Sequence, residues 1–258
     1  MQKALARIYL DADLREKIVA HPSVLNDLRL GQADAEQLRA FVLANRRALD
    51  RFAEMIGRKR ALRLASVFPI SSRLLGADTW ASVCKTALST SASRTIDEVT
   101  LCAQVMNGLD NWRDLPPFRD LVTLEALKAT VARLVAPEQQ MFNSSENWRP
   151  KLNRSARIAR LDFSPTAISA WASAGGVDHL DREPTPVLLH KRSGTYQTVQ
   201  IATLRPLLAE VLMACDGHRM ANEIALDYSR GRDELASGIR EALQGYLELG
   251  VLSFEQEM

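Results

Sequence analysis

The chain has few cysteines. Cys84, Cys102 and Cys215 are an odd, widely spaced set, which excludes a disulfide framework and points to a reducing compartment, so a cytoplasmic protein is expected. Long apolar runs are missing too. None approaches the roughly 20 residues that span a bilayer, and the first residues, with Lys3, Arg7, Asp11, Asp13 and Arg15, lack the apolar core of a signal peptide; no membrane partner is expected. Charge is nearly balanced, 33 Lys and Arg against 31 Asp and Glu, so the whole chain does not read as a polyanion binder. There is no glycine-rich phosphate loop, no Gly-x-Ser-x-Gly elbow and no dinucleotide fingerprint. The four histidines, at 21, 179, 190 and 218, place no two on one helix face. Cys215-Asp216-Gly217-His218 offers one thiol and one imidazole, short of a zinc set, and reads as a helix end followed by a turn. Asp178, His179 and Asp181 read as a polar loop. No complete active site is legible, so a chain without catalytic residues, metal or cofactor of its own is expected.

What is present is a soluble, globular composition, 47% hydrophobic and 25% charged over 258 residues, enough for two ordinary domains. Up to about Pro137 the pattern is helix after helix. Asp34-Ala35-Glu36-Gln37 has capping-box spacing, and Leu38, Phe41, Val42, Asn45, Leu49, Phe52 and Ile56 form a stripe ending at Gly57. Arg60 to Val67 continues, stopping before Phe68-Pro69 because the residue preceding proline is pushed out of the α region. A short turn over Ser71 to Leu75 ends at Gly76. Asp78-Thr79 opens a helix with Trp80, Val83, Cys84 and Leu88. Ser93 or Thr95 opens another, with Ile96, Val99, Leu101 and Met106, and Pro116-Pro117 a last one through Leu134.

A polar stretch, 138–155, reads as a linker, although Met141, Phe142 and Trp148 suggest packing. Residues 156–258 read as a small winged-helix-like domain of three strands and three helices. Arg157–Phe163 alternates, and Val187–Arg192 and Tyr196–Ile201 form a hairpin through Ser193-Gly194. The loop Ser164 to Pro186 is long enough to favour a short helix around Ile168 to Ala172. Leu204, Leu207, Leu208, Val211 and Leu212 share a helix face. Ile224 and Tyr228 mark a second helix, and Leu235, Ile239, Ala242, Leu243, Tyr246 and Leu247 a third, with Gly250 as its cap. The fold class is α+β, an all-α half followed by the winged-helix-like half.

That pattern raises a DNA-binding transcriptional regulator as one class of function. The third helix opposes it, because Asp233, Glu234, Glu241 and Glu248 face a single Arg240 where phosphate contacts require Lys or Arg. Basic charge is concentrated instead at Arg46, Arg47, Arg51, Arg58, Lys59, Arg60, Arg63 and Arg73, with Asp50 and Glu54 among them. This is a solvated face or a docking surface for an acidic partner.

Leu207-Leu208-Ala209-Glu210-Val211-Leu212-Met213-Ala214-Cys215-Asp216-Gly217-His218-Arg219, followed by Glu223-Ile224-Ala225, resembles the helical core of PqqD-like precursor-peptide recognition domains. Met220 departs from their usual threonine and removes that cap. Phe68-Pro69-Ile70-Ser71-Ser72-Arg73-Leu74-Leu75-Gly76, then Trp80, is similar to the helical N-terminal domains of partner subunits of multinuclear non-haem iron oxidases. The two halves together resemble the partner subunits of methanobactin and thiaglutamate biosynthesis. The resemblance implies an accessory subunit without iron. It would hold a ribosomally made peptide and present its cysteine to a separate TIM-barrel subunit that carries the irons. The peptide would add as a strand beside Tyr196, Gln197, Thr198, Val199, Gln200 and Ile201, in a groove walled by Leu235, Ile239 or Tyr246. Arg58, Lys59, Arg60, Arg63 and Arg73 are the candidates for docking the oxidase.

Overall fold

The stripe Leu38, Val42 and Leu49 recurs at helical spacing and is buried, within one helix of 36 residues, Gln32–Val67. The computed structural model describes residues 8–9, 12–21, 23–25, 31–93, 97–136, 148–176, 179–191 and 198–254. Its first compact unit, Met1–Arg113, contains α1 (Ala12–Ala20), α2 (Gln32–Val67), α3 (Pro69–Ser93), α4 (Glu98–Asn107) and α5 (Asp110–Arg113). The N-cap of α2 is Gly31 and Asp34 lies in the first turn, where a carboxylate suits the helix dipole; the expected capping box does not form. Gly57 does not end the helix either, since one glycine costs only about 1 kcal/mol relative to alanine. The first half of α2 packs Leu38, Val42 and Leu49 against Ile8, Leu14, Ile18 and Leu25. Arg15, 3% exposed, is held by Asp50 Oδ1, which accepts from Nη2 at 2.8 Å and Nε at 3.0 Å, and by the carbonyl of Ile8, which accepts from Nη1 at 2.7 Å. Such a buried guanidinium persists only when its donors are satisfied.

The end of α2 is at Phe68-Pro69, as the proline rule requires. Within α3 the backbone turns at Gly76, φ 74°, dividing it into two helical pieces. Asp97, rather than Ser93 or Thr95, caps α4, its Oδ2 accepting from the amide of Val99 at 3.1 Å. The next residue, Glu98, accepts from Arg60 Nε at 2.9 Å and from Arg63 Nη2 at 3.2 Å, joining α4 to α2.

The second unit, Asp114–Met258, contains α6 (Pro116–Arg133), β1 (Pro150–Leu152), β2 (Ala156–Leu161), α7 (Pro165–Ser173), β3 (Thr185–Lys191), β4 (Val199–Thr203), α8 (Pro206–Met213), α9 (Ala221–Ser229), α10 (Asp233–Glu248) and β5 (Leu252–Phe254). The chain is thus α+β, helical first and strand-containing after. The helix from Pro116, grouped by periodicity with the helical half, packs across β2, β3 and β4. Its Asp120 Oδ2 accepts from the amides of Asp162 at 2.6 Å and Phe163 at 3.0 Å, and Lys191 donates to the carbonyl of Leu134 just past its end. The 138–155 stretch expected as a linker also contributes structure, since β1 pairs antiparallel with β5, Lys151 opposite Ser253.

The main sheet has the antiparallel order β2-β3-β4. Every residue of β3 is buried, as a central strand with layers on both faces must be. On one face Ala156, Ile158 and Leu188 join Val211, Leu212, Ile224, Ala225, Ile239, Leu243 and Leu247 in a core with the C-terminal helices. The opposite face carries Val187, Leu189 and Lys191, on the side where Lys191 reaches the end of α6.

The long loop holds the anticipated short helix. Ser164 Oγ accepts from the amide of Ala167 at 3.2 Å at its start. At its end the amide of Gly176 donates to Trp171 at 3.0 Å and that of Gly175, φ 93°, to Ala172 at 3.3 Å. This pair of bonds is a Schellman stop. The same motif closes α10, where Gly250 donates to Leu247 and Val251 to Tyr246, both at 2.9 Å. The N-cap of α9 is Met220, whose side chain offers no cap, and Glu223 Oε2 reaches back to accept from the Met220 amide at 2.8 Å.

Candidate functional site

The feature with most binding potential is the outer edge of β4. Its phase follows from one bond: the amide of Leu204 donates to the carbonyl of Pro186 at 2.8 Å. Leu204 and Pro186 continue the register in which Ala202 opposes Leu188 and Gln200 opposes His190. Hydrogen-bonded and non-bonded pairs alternate along an antiparallel ladder. Ala202 and Gln200 therefore direct their backbone groups to β3, and Val199, Ile201 and Thr203 direct theirs away from it. Ile201, at the centre, is 37% exposed.

The two edges of the sheet differ. On β2 the same phase turns Ala156 outward, but its carbonyl accepts from Arg157 Nη1 at 2.7 Å and its amide donates to Asn153 at 2.9 Å. Arg157 and Arg160 also put charge along β2. By contrast Val199-Gln200-Ile201-Ala202-Thr203 contains no charge and no proline. Edge strands are ordinarily blunted by such residues, because unpaired amides and carbonyls are templates for another strand. Among the described residues no strand pairs with the outer edge of β4.

Of the residues expected to bind a peptide, Val199, Gln200 and Ile201 lie on β4, and Thr198 immediately precedes it, exposed. Tyr196 and Gln197 fall outside the described residues. The strand lies further along the chain than the residue types suggested and includes Ala202 and Thr203, because alternation gives a strand's existence better than its ends. Ile239 is buried in the core, and Leu235 and Tyr246 pack against that core. The structure does bring α6 against β4, a neighbour that apolar periodicity could not assign.

The candidates for docking separate into two sets. Arg60 and Arg63 are engaged by Glu98, whereas Arg58, Lys59 and Arg73 are exposed. The bridge of Arg60 to Glu98, 2.8 Å between Nη2 and Oε1, is four-fifths shielded on both sides and holds α2 to α4.

Among the described residues, no three His, Cys, Asp or Glu side chains gather as a metal site, and no helix is long and apolar enough to cross a membrane. Cys215 is buried, its Sγ donating to the carbonyl of Val211 at 3.3 Å, and burial pushes its thiol up to about 12. The amide of His218 donates to Asp216 Oδ1 at 2.8 Å, so that segment forms a helix end and turn. Burial likewise raises Cys84 to about 11 and Cys102 to about 12, which keeps these thiols protonated and unreactive near neutrality. No family model matches the chain, and no curated protein matches it.

Proposed function

We propose that this chain is a non-catalytic, peptide-presenting subunit, and that a ribosomally made precursor peptide adds as a fourth strand to the free edge of β4. The observation that carries the reading is the unguarded edge, where Val199, Ile201 and Thr203 turn their backbone outward on a strand without charge or proline. Strand addition takes its affinity from main-chain hydrogen bonds, each worth about 0.5–1.5 kcal/mol net. Selectivity comes from alternate side chains, which would meet Val199, Ile201 and Thr203 on one face and Gln200 and Ala202 on the other. The resemblance of both halves to partner subunits of methanobactin and thiaglutamate biosynthesis supplies the rest of the proposal. A TIM-barrel oxidase subunit would hold the irons and oxidise the cysteine of the presented peptide, with no iron in this chain. Native co-purification with an iron-containing barrel protein tests the complex. A chain isolated with duplex DNA and no such protein would overturn it.

A further inference from the structure

Met55, Arg58, Lys59 and Leu62 stand at i, i+3, i+4 and i+7 of α2 and so share one helix face over two turns. Met55 is 56% and Leu62 65% exposed, and Arg58 and Lys59 between them are exposed as well. Arg51, one turn earlier, extends the stripe. The nearby carboxylates do not answer these cations: Asp50 is held by Arg15 and Glu98 by Arg60 and Arg63. Glu54 stands three residues after Arg51 and four before Arg58, on the flank of the stripe, and this one carboxylate leaves the three cations in excess. Among the described residues, no ion pair is formed by Arg51, Arg58 or Lys59. Two large apolar side chains, each more than half exposed, frame two adjacent cations.

We propose that this face is the docking site for an acidic amphipathic helix of the partner subunit. Two apolar anchors seven residues apart, about 10.5 Å along the axis, match apolar residues one heptad apart on a facing helix, with carboxylates flanking them to pair with Arg58 and Lys59. A second copy of this chain is a poor occupant, because two-fold pairing would set the same cations against themselves. The inference rests on the reading of this chain as a subunit of a complex. Of the docking candidates it keeps Arg58 and Lys59, and it adds Arg51, Met55 and Leu62.

The test uses the full chain and a synthetic helix of three heptads, with Leu at the core positions and Glu at the flanking ones, against the same helix carrying Lys for Glu. The acidic helix is expected to bind and the basic one not. Arg58→Glu/Lys59→Glu should weaken the acidic helix by about tenfold or more and confer binding of the basic one. Met55→Ala/Leu62→Ala should weaken the acidic helix without altering its salt dependence. These positions are exposed, so the urea midpoints of the variants should match that of the wild type. Three results would overturn the proposal: equal binding of the two helices, acidic binding that survives the charge reversal, or no binding of the acidic helix. Duplex DNA that binds more tightly than the acidic helix, and is lost in the reversed variant, would overturn it too. Amide protection in β4 is read separately, so failure here and failure of the strand-edge reading are distinguishable.

Discussion

The amide of Leu204 donates to the carbonyl of Pro186 at 2.8 Å, and this bond decides which residues of β4 turn their backbone towards β3 and which turn it out. The two sets make different predictions on substitution by proline, which removes one amide proton.

Val199→Pro removes an outward donor at the first residue of an edge strand, where proline is tolerated. The fold should persist while peptide affinity falls by about tenfold or more, the loss of roughly 1.4 kcal/mol. Gln200→Pro removes the inward donor opposite His190 and should cost about 1–3 kcal/mol of stability. Urea unfolding and calorimetry on both variants check the contrast. Equal loss of stability in the two would show that the phase is misassigned.

Arg60 and Arg58 are two residues apart in sequence and should behave differently. Arg60→Ala gives up Nε to Glu98 Oε1 at 2.9 Å and the shielded bridge beside it, and should cost about 1–2 kcal/mol. Arg58→Ala should stay within about 0.5 kcal/mol. Denaturant midpoints with unchanged slope measure both.

Asp120 ties α6 to the end of β2, and desolvation by burial raises its pKa even though the amides of Phe163 and Asp162 work against that rise. With a folded pKa above the unfolded one, its contribution to stability is present at pH below the unfolded value. That contribution is lost as pH rises through the folded value. Asp120→Asn retains an acceptor for both amides and cannot ionise, so its stability relative to wild type should improve as pH rises through that window. Asp120→Ala leaves two amides unsatisfied and should cost about 1–3 kcal/mol at any pH. Unfolding free energies of the wild type and both variants, measured as a function of pH upward from the ordinary carboxyl value, test the sign.

Much of the fold was legible because burial writes a period into the chain. Leu38, Val42 and Leu49 mark the core face of α2, β2 is visible in alternating residues, and β3 and β4 in two runs of strand type on either side of Ser193-Gly194. What a period cannot state is the partner of a face. The helix from Pro116 shows one apolar side whether it packs on helices or on a sheet, so its membership of the second unit was not legible. Nor were β1 and β5, whose three residues each are too few for alternation to register. At the candidate site the hairpin's second strand was legible, but its outward phase was not, since that depends on a bond between Leu204 and Pro186. The separation of Arg58 from Arg60 was also hidden, because it depends on where Glu98 arrives from another helix.

Residue-resolved amide hydrogen exchange tests the central claim most directly, first on the free chain and then with a peptide selected from a display library for binding to it. In the free chain the amides of Gln200 and Ala202 should be protected by β3, while those of Val199, Ile201 and Thr203 exchange rapidly. Adding the peptide should protect Val199, Ile201 and Thr203 and leave the other two nearly unchanged. A peptide that binds tightly and leaves the three outward amides exchanging as before would contradict strand addition to β4.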